Sequence, residues 1–212
     1  RKRPLLQFEN VSFLLKGSAR LIKDTVIFHE DVLKLQYVNC IFDASEVKEQ
    51  VKDKADFMSF ENCGDITFTD VSFRNFRFAS FTSMNDNHAL TLLKGDKLAS
   101  FKLERVKMTD VQSIRTMFFW NTGQVMISQS VMTRTIGTMQ FNKSNLEVSG
   151  TIFQSCRRPF FPRTSVTNKP CVVITASDRN RCEFRNNVFY DITTGKFMQL
   201  NGINGTTPEF IL

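Results

Sequence analysis

Cys182-Glu183-Phe184-Arg185-Asn186-Asn187-Val188-Phe189 reads apolar-x-apolar-x-Asn-x-x-Phe, and the same grammar returns six more times along the chain. The other copies span 6–13, 35–42, 66–73, 101–108, 125–132 and 146–153. Their second apolar residue is Phe8, Tyr37, Phe68, Leu103, Ile127, Val148 and, in the quoted copy, Phe184. Two residues later stand Asn10, Asn39, Asp70, Arg105, Gln129, Gly150 and Asn186. Three further on come Phe13, Phe42, Phe73, Met108, Met132, Phe153 and Phe189.

Each copy has a simple physical reading. Leu6-Gln7-Phe8, Leu35-Gln36-Tyr37, Ile66-Thr67-Phe68, Phe101-Lys102-Leu103 and Leu146-Glu147-Val148 alternate apolar and polar, which makes a half-buried strand. Asn or Asp at the next position tolerates a left-handed backbone and bonds its own main chain, so the strand bends there without glycine. The Phe/Met column then re-enters the core, where its members are expected to form one continuous stack. A unit this short cannot bury its own apolar face and must stack on neighbours, which is the logic of a solenoid.

The second apolar residues are 29, 31, 35, 24, 21 and 36 residues apart. Helical repeats and propellers keep a tighter period, whereas a β-solenoid lets its loops vary while its strands stay in register. Further strands fit between the copies. The stretches 57–62, 117–121 and 197–201 each run from apolar residues to Asn, and Cys171-Val172-Val173-Ile174-Thr175 is β-branched. Short strands bent at Asn describe a parallel β-helix of about seven coils. A leucine-rich repeat is the rival fold, and Leu33-Lys34-Leu35-Gln36-Tyr37-Val38-Asn39 leans toward it.

Phe184 to Phe189, together with Ile66-Thr67-Phe68-Thr69-Asp70-Val71-Ser72-Phe73, resembles the coil repeat of right-handed parallel β-helix proteins of the pectin-lyase-like type. That family includes pectin-degrading enzymes, phage tailspikes and surface adhesins. The resemblance implies an all-β, right-handed β-helix, with a surface-adhesin role among the expectations.

The whole chain, 1–212, is expected to be one β-helix domain cut from a longer solenoid, with neighbouring coils or chains meeting both open ends. Residues 43–56 are expected to leave the strands. Asp43-Ala44-Ser45-Glu46 has the form of a capping box, and Val47, Val51 and Ala55 recur every fourth residue, predicting a charged helical loop. Residues 73–87 are dense in Phe, with Phe76 and Phe78 expected inward and a bend before Phe81; Gly95-Asp96 is read as a turn. Three prolines within 157–170 exclude a central strand and predict a protruding Pro/Arg loop.

The chain carries a formal charge of +7, concentrated late at Arg157, Arg158, Arg163, Lys169, Arg179, Arg181 and Arg185. Arg157, Arg158, Arg163, Arg179 and Arg181 are the candidate contact surface for an acidic glycan or protein. Nothing in the sequence follows a specific nucleic-acid module, and no apolar run reaches membrane-spanning length. Of five cysteines, none is spaced Cys-x-x-Cys. Cys40 and Cys182 fall in apolar columns as small buried hydrophobes, and Cys171 with Cys182 is the pair to test for a disulfide.

Catalysis on such a scaffold needs carboxylates clustered across adjacent coils, or an acidic calcium site with a basic residue beside it. The acids here are scattered: Glu9 and Glu104 in one column, Asp70 in the bend, Glu147 and Glu183 between the apolar pair. His29 and His88 are read as surface histidines. The expectation is a protein without catalytic residues, metal or cofactor: a structural or adhesive module, extracellular or on the cell surface. The alternatives are a carbohydrate-active β-helix with its site in missing coils and an intracellular assembly subunit.

Overall fold

The computed structural model describes residues 4–17, 25–47, 55–76, 90–157, 172–176, 180–192, 198–202 and 209–211. Within them every regular element is a β-strand, twenty-two in all. The first sheet holds β1 (Leu5–Glu9), β4 (Lys34–Val38), β7 (Asp65–Thr69), β10 (Ser100–Glu104), β13 (Gln124–Ser128), β16 (Asn145–Ser149), β19 (Arg181–Arg185) and β22 (Glu209–Ile211). The second holds β2 (Ser12–Gly17), β5 (Ile41–Val47), β8 (Ser72–Arg74), β11 (Lys107–Thr109), β14 (Val131–Thr133), β17 (Ile152–Gln154) and β20 (Val188–Tyr190). The third holds β3 (Thr25–Glu30), β6 (Ala55–Glu61), β9 (Leu90–Asp96), β12 (Gln112–Trp120), β15 (Ile136–Asn142), β18 (Val172–Ala176) and β21 (Met198–Gly202). Successive strands visit the three sheets in turn, and all pairings are parallel, an arrangement consistent with a β-solenoid.

The repeat grammar maps directly onto register. Phe8, Tyr37, Phe68, Leu103, Ile127, Val148 and Phe184 are consecutive partners across the first sheet. Phe13, Phe42, Phe73, Met108, Met132, Phe153 and Phe189 are consecutive partners across the second. Ring centroids of Phe13 and Phe42 lie 4.6 Å apart, and those of Phe42 and Phe73 4.9 Å. These distances follow the ~4.8 Å strand spacing, so the near-parallel stacks are imposed by register rather than chosen by the rings. Of the extra strands expected from sequence, 57–61, 117–120, 172–175 and 198–201 all fall in the third sheet.

Three rows of left-handed residues make the corners. Between the first and second sheets they are Asn10, Asn39, Asp70, Arg105, Gln129, Gly150 and Asn186, all with φ between 50° and 58°. Asn75, Asp110, Arg134, Ser155 and Asp191 turn the chain after the second sheet, and Asp31, Asn62, Lys97, Asn121 and Lys143 after the third. Corner amides donate to the next coil, for example Arg105 N to Ser128 O at 3.0 Å and Gln129 N to Ser149 O at 2.9 Å.

The residue following the first corner points into the core, and its chemistry changes along the stack. Val71 and Val106 are buried hydrocarbon, whereas Ser130 and Thr151 are buried hydroxyls. Ser130 Oγ donates to Ser128 O at 2.8 Å and accepts from Val106 N at 3.0 Å, so it is satisfied on both sides.

Several local readings are corrected by the tertiary pairing. Asp43–Glu46 is not a helix start but part of β5, paired with β2 through Asp43 and Glu46 and with β8 through Asp43. Asp43 instead receives hydrogen bonds from Ser45 N, Asn75 Nδ2 and Arg74 Nε. Residues 48–54 of that expected helical loop lie outside the described residues. Gly95-Asp96 ends a strand rather than forming a turn, and a side chain at Gly95 would strike Phe119 and Leu98. Asn75 turns the chain and Phe76 is buried, as expected; Phe78 and the bend expected before Phe81 lie outside the described residues. Of the Pro/Arg loop only Arg157 is described, bridged in parallel to Ile136. His29, expected on a surface loop, sits in β3 and stacks on Phe60 at 5.7 Å.

Phe73 is fully buried between Phe42 and Met108, whereas Thr67 alternates to the outer face. Phe73→Ala should cost about 3–5 kcal/mol in urea unfolding, and Thr67→Ala only a small fraction of that. Equal losses from the two substitutions would contradict an inward Phe73 and an outward Thr67.

Candidate functional site

The strands of the first sheet alternate, so each places two or three side chains on its outer face. On the late strands one outer row runs Gln124, Asn145, Arg181, Glu209 and the next runs Met126, Glu147, Glu183, Ile211. Gln124, Asn145, Leu146, Glu147, Arg181, Glu183 and Glu209 line a cleft of about 360 Å³.

Three carboxylates and one guanidinium therefore face the same cleft. Glu183 is ion-paired with Arg181 (Nη2 to Oε2, 3.1 Å) and with Arg185 on its other side. Asn145 fixes the strand start: its Oδ1 accepts from Arg181 N at 2.9 Å and its Nδ2 donates to Gly123 O at 3.0 Å. Glu147 is the register partner of Glu183 one strand away.

Among the residues expected to contact an acidic partner, Arg181 is thus placed in a cleft rich in carboxylate. Arg157 belongs beside the third sheet, where Arg157 N donates to Thr135 O at 2.9 Å. Arg158, Arg163 and Arg179 lie outside the described residues. The cleft is not among the sequence-based expectations, although its signal is present. Leu146-Glu147-Val148 and Cys182-Glu183-Phe184 are consecutive copies, so sharing a column makes their glutamates neighbours. Glu209 belongs to an eighth strand of this sheet, Glu209–Ile211, where the repeat grammar has no copy to announce it.

Elsewhere on the outer surface, carboxylates pair with cations across coils. Arg105 grips Asp70 through Nε and Nη2, both at 2.8 Å, and holds the Asp70 carboxyl below its ordinary value. Arg134 grips Asp110 in the same way, and Lys94 reaches Asp56 at 2.7 Å. Burial alone would raise Asp43, but hydrogen bonds from Asn75, Ser45 and Arg74 hold it at about 2.

Cys40 and Cys182 are fully buried free thiols, and burial pushes Cys182 up to about 11, which keeps it protonated and unreactive at neutral pH. Cys171, its suggested disulfide partner, lies outside the described residues. Among the described residues no group of three or more His, Cys, Asp or Glu is arranged to hold a metal ion, and no helix is long and apolar enough to cross a membrane. The chain matches no protein-family model, no curated protein and no solved structure.

His29 points inward, with Nε2 2.9 Å from the Tyr37 hydroxyl, and burial lowers its pKa below 6.5. A depressed base contributes stability that is present above the unfolded value and is lost as pH falls through the folded one. Urea midpoints of the wild type should therefore fall between pH 7 and pH 5 more than those of His29→Phe, which keeps the ring but cannot titrate. Parallel pH dependences in the two proteins would contradict a buried, neutral His29.

Proposed function

We propose that the chain is a right-handed parallel β-helix of about seven coils acting as a non-catalytic scaffold, a structural or adhesive module at the cell surface or outside the cell. The observation that carries this is the use made of its outer carboxylates. Asp43, Asp56, Asp70, Asp110 and Glu183 are each joined to a cation, mostly on the neighbouring coil, so they serve as ties along the stack. Strand backbones are committed to one another, which leaves recognition to loops and outward side chains. The basic excess around Arg157, Arg158, Arg163, Arg179 and Arg181 suits an acidic glycan or an acidic protein surface.

One observation favours a second reading. Glu147 and Glu183 sit on neighbouring strands in one cleft, and paired carboxylates are what glycoside hydrolysis requires. Heparin and polygalacturonate separate the two readings. The scaffold should be retained on immobilised heparin at low salt, elute earlier as salt rises, and release no reducing ends from either polymer. Replacing Arg157, Arg158 and Arg163 by Ser should weaken retention while leaving the unfolding midpoint unchanged. Release of reducing ends that disappears in Glu147→Gln would establish the enzyme instead.

A further inference from the structure

Asparagine at a left-handed corner is explained by its tolerance of positive φ, and six corners use it. Asn10 carries something more. Two residues after it stands Ser12, whereas Asn39 and Asn186, on the same corner row, are followed at that place by Ile41 and Val188. No other corner asparagine has Ser or Thr there. Asn10-Val11-Ser12 is therefore an Asn-x-Ser sequon, the pattern that accepts an N-linked glycan. The pattern recurs at Asn142-Lys143-Ser144, and at Asn204-Gly205-Thr206, which lies outside the described residues.

The corner geometry gives these two described sequons opposite fates. Asn10 is itself the corner, Val11 turns in against the core, and Ser12 opens β2 on its outer face. Asn10 and Ser12 are both exposed. Asn39 Nδ2 donates to Asn10 Oδ1 at 2.6 Å, which ties down the carbonyl side and leaves Nδ2, the atom that takes the sugar, without a bond to any described residue. In the second sequon the motif is one residue out of step. Its corner is Lys143, so Asn142 ends β15 and Ser144 is the residue that turns inward. Asn142 is 3 % exposed with a buried Nδ2, and Ser144 is 1 % exposed. Ser144 Oγ donates to Asn142 O at 3.0 Å and accepts from Thr122 N at 3.1 Å. The folded stack has no room for a glycan on that nitrogen.

We propose that Asn10 is a modification site, carrying an N-linked oligosaccharide when the chain passes through a secretory compartment, and that Asn142 stays bare. The co-reactant is an oligosaccharide held on a lipid diphosphate. Asn10 Nδ2 forms a bond to the anomeric carbon of the first sugar, the bond from that carbon to the diphosphate oxygen breaks, and the lipid diphosphate leaves with its electron pair. One amide proton passes to a base of the transferase. The Asn39 bond to Oδ1 survives the reaction, so the corner keeps its tie to the next coil. The site rests on the proposed location outside the cell or on its surface, because a chain confined to the cytosol never meets the donor.

The full chain, with Asn204→Gln to silence the third sequon, is expressed behind a cleavable secretion signal in an insect cell line. Secreted protein is digested with peptide-N-glycosidase in heavy-oxygen water, and peptide mass spectrometry reads which asparagines carried sugar. Label at Asn10 in most molecules, and none at Asn142, is expected. Asn10→Asp, which keeps a residue suited to a left-handed corner as Asp70 is, should remove the glycan and retain the wild-type melting curve. Ser12→Ala should remove it too, Ser12→Thr should keep it, and Asn142→Gln should leave its occupancy unchanged. Where little chain is secreted, the same peptides are read from the membrane-enclosed pool, with Asn10 again expected to be occupied. A bare Asn10 in both pools overturns the proposal, and so does a glycan on Asn142 in secreted, folded protein. Either result leaves the location reading intact. An Asn10 that accepts sugar here, in a chain found only in the cytosol of its own cell, overturns the location and upholds the site.

Discussion

Everything in this molecule depends on residues held at positive φ. A left-handed backbone costs an L-residue roughly 1–2 kcal/mol, and here the cost recurs at each corner of the stack. It is met at Asn and Asp, but also at Arg105, Gln129, Lys97, Arg134 and Lys143, which gain nothing from the conformation locally. The compensation comes from the neighbouring coil. The amides of Lys97, Arg105, Gln129 and Arg134 each reach a carbonyl one coil on. Several corner side chains add a tie of their own, such as Asn39 Nδ2 to Asn10 Oδ1 at 2.6 Å or Arg105 to Asp70. A corner is therefore stable only inside a stack.

That dependence explains which features are readable in the sequence. The first corner row and the Phe/Met column lie at fixed offsets within one short copy, so aligning copies reveals both. From Phe73 onward the second corner row follows the Phe/Met column by two residues, as in Phe73-Arg74-Asn75 and Met108-Thr109-Asp110, whereas after Phe13 and Phe42 the strand runs on. It is hard to see because its occupants range from Asn to Arg and Ser. The third sheet is half visible for a related reason. Its strands keep no constant distance from the copy before them, although β3, β6, β9, β12 and β15 each end four or five residues ahead of the copy that follows.

The misreadings have the same origin. Asp43-Ala44-Ser45-Glu46 satisfies the local rule for a helix start, yet two flanking strands claim its backbone. His29 looks solvated beside Glu30 and Asp31, but alternation sends it inward onto Phe60 and Tyr37. In both cases pairing across some thirty residues outweighs the nearest neighbours in sequence. The cleft on the first sheet is half visible: the column shared by consecutive copies makes Glu147 and Glu183 neighbours, whereas Arg181 and Glu209 come together only through strand pairing.

The connection from the first sheet to the second is always two residues, whereas that from the second to the third runs from two residues after β14 to many after β8 or β17. Length variation is thus confined mainly to one edge of the stack. A lineage carrying this fold has in effect one editable margin, where insertions and deletions accumulate without moving a single inward side chain. The other faces change only by substitution, one rung at a time. Divergent descendants should accordingly differ most in the segments after β2, β5, β8, β17 and β20, and grafted peptides should be accepted there most readily.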